Sequence, residues 1–171
     1  METKIFTKVV FLLLLLGCSP PLRIRPEKIV STPVADTSRF SLAAVRVDED
    51  DALDALDFNP YLIGLLPLRV TIHNPTPTAQ RPQLFFTTTK GQSLRALHPD
   101  KVYSRVLKAY DVTAYPVVLG KESKNNFTAL CLDLSSPIPP QSSRTGLVFF
   151  PVGLEGGAVE LKGADRIEVN P

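Results

Sequence analysis

The chain has 171 residues, 19 Lys plus Arg against 17 Asp plus Glu, and a formal net charge of +2. That length is one domain's worth, charge so near balance excludes a dedicated nucleic-acid binder with its strong basic excess, and 44% apolar content excludes a disordered chain. Sixteen prolines, nine glycines and no Trp predict short strands separated by many turns.

Residues 1–8 carry Lys4 and Lys8, diluted by Glu2, and residues 9–16 read Val-Val-Phe-Leu-Leu-Leu-Leu-Leu. This run is far short of the roughly 20 residues that span a bilayer and fits the apolar stretch of a secretory signal. It ends in Leu15-Leu16-Gly17-Cys18. That tetrad resembles the lipobox of bacterial lipoproteins, although Leu16 is less usual there than Ala or Ser. The resemblance implies a diacylglycerol on the Cys18 thiol, cleavage by signal peptidase II between Gly17 and Cys18, and acylation of the new amine. Each buried CH₂ contributes roughly 0.8 kcal/mol, so one acyl chain holds marginally and two or three hold stably. The simpler alternative, an ordinary signal with Cys18 incidental, fits poorly with a cysteine placed directly after Leu-Leu-Gly. Position 19 is Ser rather than Asp, which in Gram-negative lipoproteins implies sorting to the outer membrane, the domain facing the periplasm or the cell surface.

Taking 17 residues from 171 leaves 154, with 17 basic and 16 acidic side chains once Lys4, Lys8 and Glu2 are gone. A chain of that size buries roughly 68–70% of its unfolded surface, enough for a core without disulfides. With Cys18 lipidated, Cys131 is the remaining thiol. Residues 18–39 hold Pro20, Pro21, Pro26 and Pro33 with mixed charges and no apolar period. They are expected to be the lipidated N-terminus and an extended tether, with the folded domain over residues 40–171.

Within that domain, residues 40–47 predict a first strand. Residues 48–57 are acidic, with Leu53 and Leu56 three apart, and suit one or two helical turns with a favourable charge at the N-terminus. Residues 65–73 give the clearest strand: Leu66, Leu68, Val70 and Ile72 alternate with Pro67, Arg69, Thr71 and His73. Asn74-Pro75-Thr76-Pro77 ends it. Residues 83–89 predict the next strand, 90–92 a tight turn and 93–97 a short return strand. Pro99 suits a first helical position, and Val102, Val106 and Leu107 continue at helical spacing to about residue 109. Residues 110–126 are unassigned, with 121–126 as an exposed loop. Residues 127–134 alternate as a strand, 135–143 are a proline-containing loop, and 146–152 are apolar on both faces, as in a central strand. Residues 158–161 and 166–169 predict a last hairpin around Gly163. Seven or eight short strands with one short helical insertion suit a mainly β, antiparallel immunoglobulin-like β-sandwich.

Gly64-Leu-Leu-Pro-Leu-Arg-Val-Thr-Ile-His-Asn74, a following strand, the Lys90-Gly91 turn and the helix start at Pro99-Asp-Lys-Val102 resemble a group of uncharacterised bacterial lipoproteins. So does Ile138-Pro-Pro-Gln-Ser-Ser-Arg-Thr-Gly-Leu-Val-Phe-Phe-Pro151. The likeness runs over about residues 40–171. It implies the fold and carries over no catalytic or binding residue.

The reactive side chains are few. His73 sits on the polar face at a strand end, and His98 precedes Pro99 where it can cap a helix; neither has ligands at metal spacing. Cys131 reads as a small buried hydrophobe rather than a reactive thiol. The chain has no Gly-x-Ser-x-Gly elbow and no Cys-His pair. The acidic run at 48–57 lacks the spacing of a calcium loop and reads as a solvated helix face. Arg81, Lys90, Arg95, Lys101, Arg105 and Lys108 make a basic stretch in which Asp100 is the one acid. It suits pairing with the acidic run, plain solvation, anionic lipid headgroups or peptidoglycan carboxylates. Asn126-Phe127-Thr128 matches a glycosylation sequon, which carries little weight in a bacterial lipoprotein.

The expectation is therefore a non-catalytic, lipid-anchored envelope protein held in the membrane by acyl chains on Cys18. It would meet another envelope protein and no nucleic acid, with no metal or cofactor. The alternative is an accessory protein binding a glycan or small ligand, for which Tyr103, Tyr110 and Tyr115 are the clustered aromatic candidates. An envelope hydrolase has no support in these residues.

Overall fold

The computed structural model describes residues 40–109, 117–152, 156–162 and 166–169. Along these the chain forms β1 (Ser41–Arg46), α1 (Glu49–Leu56), a 3-10 turn (Pro60–Ile63), β2 (Leu66–Asn74), β3 (Leu84–Thr88) and β4 (Ser93–Arg95). There follow α2 (Pro99–Ala109), α3 (Val117–Leu130), β5 (Ser142–Phe150), β6 (Gly157–Leu161) and β7 (Arg166–Val169).

The strands make two antiparallel sheets, one of order β1-β2-β5 and one of order β4-β3-β6-β7. In the first, Leu42 lies opposite Ile72 and Ala44 opposite Val70, while Leu66 lies opposite Phe150 and Leu68 opposite Val148. Successive side chains on a strand point to opposite faces, so this register gathers Leu42, Leu66, Leu68, Val70, Ile72, Val148 and Phe150 on one face. There they share a core with Leu84, Phe86, Val159, Leu161 and Val169 of the second sheet. The other face of the same sheet meets the helices. Leu147 and Phe149 pack with Leu56, Phe58, Val102, Val106 and Phe127 in a second core. The three-stranded sheet is thus the middle layer. That is why β5 is apolar on both faces although it stands at the edge of its sheet. Its outer edge is covered by Leu97, whose N–H donates to the Phe149 carbonyl at 2.9 Å, and by Leu132, whose N–H donates to the Leu147 carbonyl at 2.8 Å.

The helices follow from their caps and apolar spacing. Asp48 caps α1 by accepting from the Asp51 N–H at 2.7 Å. Ala52, Ala55 and Leu56 form the buried stripe, and Asp57 closes the helix in the left-handed region at φ 61°. In α2, Pro99 opens the helix and Val102, Tyr103 and Val106 face inward.

The single helical insertion expected from sequence is corrected to three α-helices. Residues 121–130, read as a loop and the start of a strand, belong to α3. Their decisive spacing is helical: Ser123, Phe127 and Leu130 are buried, while Thr128 and Ala129 between them are exposed. The alternation resumes only past the helix, where Cys131 forms a parallel bridge with Leu147 and Leu132 enters the two-sheet core.

Candidate functional site

Cys18, Gly17 and the segment through residue 39 lie outside the described residues, as do Tyr110 and Tyr115. Phe40 is seated in the two-sheet core, and β1 pairs Ser41 with His73 at the far end of β2. No described helix is long and apolar enough to cross a membrane.

His73 lies opposite Ser143 and Thr71 opposite Thr145 in the β2–β5 register. The His73 Nδ1 and Ser143 Oγ are 2.9 Å apart, and the Thr71 and Thr145 hydroxyls 2.8 Å apart. These cross-strand pairs form a polar ladder. Among the described residues no carboxylate is hydrogen-bonded to the imidazole. Among the described residues the buried Oγ of Ser41 and the buried Nε of Arg69 have no hydrogen-bond partner. Sequence reasoning passed over both, because polar residues on the outward face of a strand carry no signal of burial.

His98 caps α2 as its position before Pro99 implied. Its carbonyl accepts from the Lys101 N–H at 2.9 Å, and its Nδ1 lies 3.3 Å from the Asp100 N–H. Lys124 of α3 reaches Asp100 at 2.7 Å, and this hydrogen bond holds the Asp100 carboxyl below its ordinary range. His98 Nδ1 lies 3.4 Å from the Asp100 carboxylate, but among the described residues no group of three His, Cys, Asp or Glu could hold a metal ion. Cys131 is partly buried between α3 and β5, and desolvation pushes its thiol pKa up to about 12. A thiol so shifted is a poor nucleophile near neutral pH.

Of the three tyrosines proposed as a platform, Tyr103 alone lies among the described residues. Tyr103 is 5% exposed, its ring 5.8 Å from that of Phe127. It packs the helices onto the sheet and presents no face to a glycan.

The basic stretch is divided by the fold. Lys90 lies in the turn between β3 and β4, and Arg95 on β4 stacks over the Phe85 ring at 5.7 Å. Lys101, Arg105 and Lys108 lie together on the exposed side of α2. No ion pair joins these three to the acidic residues of α1. Comparison with protein-family models, curated proteins and solved structures gives no match for the chain.

Proposed function

We propose that this chain is a lipid-anchored, non-catalytic protein of the bacterial cell envelope. Its immunoglobulin-like β-sandwich serves as an interaction or structural module at the outer membrane. The observation that carries the reading is Leu15-Leu16-Gly17-Cys18 at the end of the apolar run of residues 9–16, behind Lys4 and Lys8. A run of that length is too short to span a bilayer, while an acylated cysteine needs no spanning helix. Two antiparallel sheets around one core support the sandwich. The desolvated thiol of Cys131 favours binding over catalysis as the use of that scaffold. The proposed partners are the membrane, through acyl chains on Cys18, and another envelope protein.

The reading is tested by expressing the full chain and a Cys18→Ala variant in the native host and separating membranes from soluble protein. The native chain is expected in the outer-membrane fraction and the variant outside it. An identical distribution of the two overturns the reading.

A further inference from the structure

The basic side of α2 is the feature that the two cores leave unused. Lys101, Arg105 and Lys108 recur at i, i+4 and i+7, which places them in one row on a helix. At 1.5 Å per residue the row is about 10 Å long. All three side chains are exposed, while Val102, Tyr103 and Val106 hold the opposite side of the helix against the domain. Among the described residues none of the three has an ion-pair partner. The one acid of the helix, Asp100, is bound by Lys124 of α3, and Lys121 stands three residues before Lys124 on the same helix. Across the helical layer, α1 carries Glu49, Asp50, Asp51 and Asp54. The helical layer thus carries a cationic row on α2 and acidic residues on α1.

We infer that the cationic row of α2 rests on the anionic phospholipid headgroups of the leaflet that holds the anchor. This rests on the lipid-anchor reading above. The α2 row carries two lysines and one arginine. Among the described residues of α2 the exposed side has no aromatic, so the row offers charge alone. A headgroup layer is the occupant that asks for charge alone, and each cation near an anionic leaflet adds to the attraction. Three such cations favour contact on the order of a hundredfold at low ionic strength. The acidic residues of α1 are repelled by the same surface. The 22 residues from Cys18 to residue 39 reach at most about 75 Å when extended. β2, at about 3.3 Å per residue, is roughly 30 Å long. An anchor at Cys18 thus leaves the domain free to present α2, wherever on the domain the tether enters.

The test uses the full-length protein with two kinds of vesicle, phosphatidylcholine alone and phosphatidylcholine doped with phosphatidylglycerol. Acetylation of lysines by an amine-reactive ester is read by mass spectrometry. Lys162, exposed beyond β6 in the sheet remote from the helices, is the internal reference. With phosphatidylglycerol at low salt, Lys101 and Lys108 are expected to react about tenfold more slowly relative to Lys162, and high salt should erase the difference. Arg105→Glu, at the centre of the row, is expected to remove most of that protection. Equal rates in both vesicles, with the protein bound to both, overturn the contact and leave the anchor standing. Binding to phosphatidylglycerol vesicles alone, reversed by salt, supports the contact and overturns the anchor. Binding to neither overturns both. Protection that survives Arg105→Glu, or that appears only in native membranes and not in protein-free vesicles, overturns the lipid contact.

Discussion

The Asn74 carboxamide nitrogen lies 2.9 Å from the carbonyl oxygen of Ile138, a residue 64 positions further along the chain. The same nitrogen donates to the Thr78 carbonyl at 2.8 Å, and the side-chain oxygen accepts from the Thr76 hydroxyl at 2.7 Å. Asn74 is fully buried, so one side chain ties the turn after β2 to the loop before β5. Gln80 and Ile138 complete the junction with reciprocal backbone bonds of 3.1 and 2.7 Å. From the other side, Arg144 donates to the carbonyls of Asp133 and Ser136 at 2.7 and 3.1 Å. Removing a buried polar group strands its partners, which costs roughly 1–3 kcal/mol per group. Asn74→Ala should lower the unfolding free energy by about 2–3 kcal/mol, measured by urea titration, and Asn74→Asp should not rescue it, because the carboxylate has no N–H to donate.

Gly146 is required by a close approach. A Cβ built there would stand 2.5 Å from the Leu132 nitrogen and 2.8 Å from the Leu132 Cα. The contact is with backbone, so no side chain can swing aside. Gly146→Ala should cost about 1–3 kcal/mol by overpacking. Gly91→Ala, at φ +79° with nothing nearby, should cost about 1 kcal/mol, through backbone strain alone. Thermal melts of the two variants should rank in that order.

Phe127 separates the helical reading of residues 117–130 from the strand reading. Its ring lies 6.2 Å from Phe58, 5.8 Å from Tyr103 and 5.6 Å from Phe149, joining the helices to the middle sheet. In a strand Ala129 would share the face of Phe127; in α3 it is turned outward. Phe127→Ala should cost about 3–5 kcal/mol, whereas Ala129→Glu should change stability by less than about 0.5 kcal/mol. A large loss from Ala129→Glu would contradict the helix.

What was legible in the sequence follows the strength of the local pattern. The alternation of Leu66, Leu68, Val70 and Ile72 located β2 to within a residue, because a half-polar strand leaves a period of two. Pro99 and the Val102–Val106 spacing located α2 for a similar reason. Residues 127–134 misled because Leu130, Leu132 and Leu134 alternate across a junction: Leu130 ends a helix, and the other two belong to the extended segment after it. The Asn74 staple was visible only as an Asn-Pro turn, since its partners are set by the tertiary fold. Tyr103 looked like part of an aromatic platform because it was grouped with the tyrosines that follow it, whereas its place beside Val102 and Val106 puts it on the buried side of α2.

Tyr61 makes stability depend on alkaline pH. Its hydroxyl donates to the Val47 carbonyl and accepts from the Arg46 Nε at 3.0 Å, with the guanidinium also over the ring at 4.9 Å. Burial raises its pKa above 10.0, and the Arg46 interactions only partly offset this. A raised pKa means the folded state holds the phenolic proton more tightly than the unfolded state. The contribution is therefore full below about pH 10 and is lost as pH rises through the folded value. Tyr61→Phe should cost about 1–2 kcal/mol at neutral pH through the lost hydrogen bonds. Its urea midpoint should then fall less than that of the native protein between neutral pH and pH values above the ordinary tyrosine range.

The anchor at Cys18 is tested most directly by the intact mass of the protein purified from its native membranes. The expected polypeptide starts at Cys18 and carries the added mass of a diacylglycerol, with an N-acyl group on the new amine. A mass equal to the unmodified polypeptide, with or without residues 1–17, would contradict the anchor and return Cys18 to the chain as a free thiol.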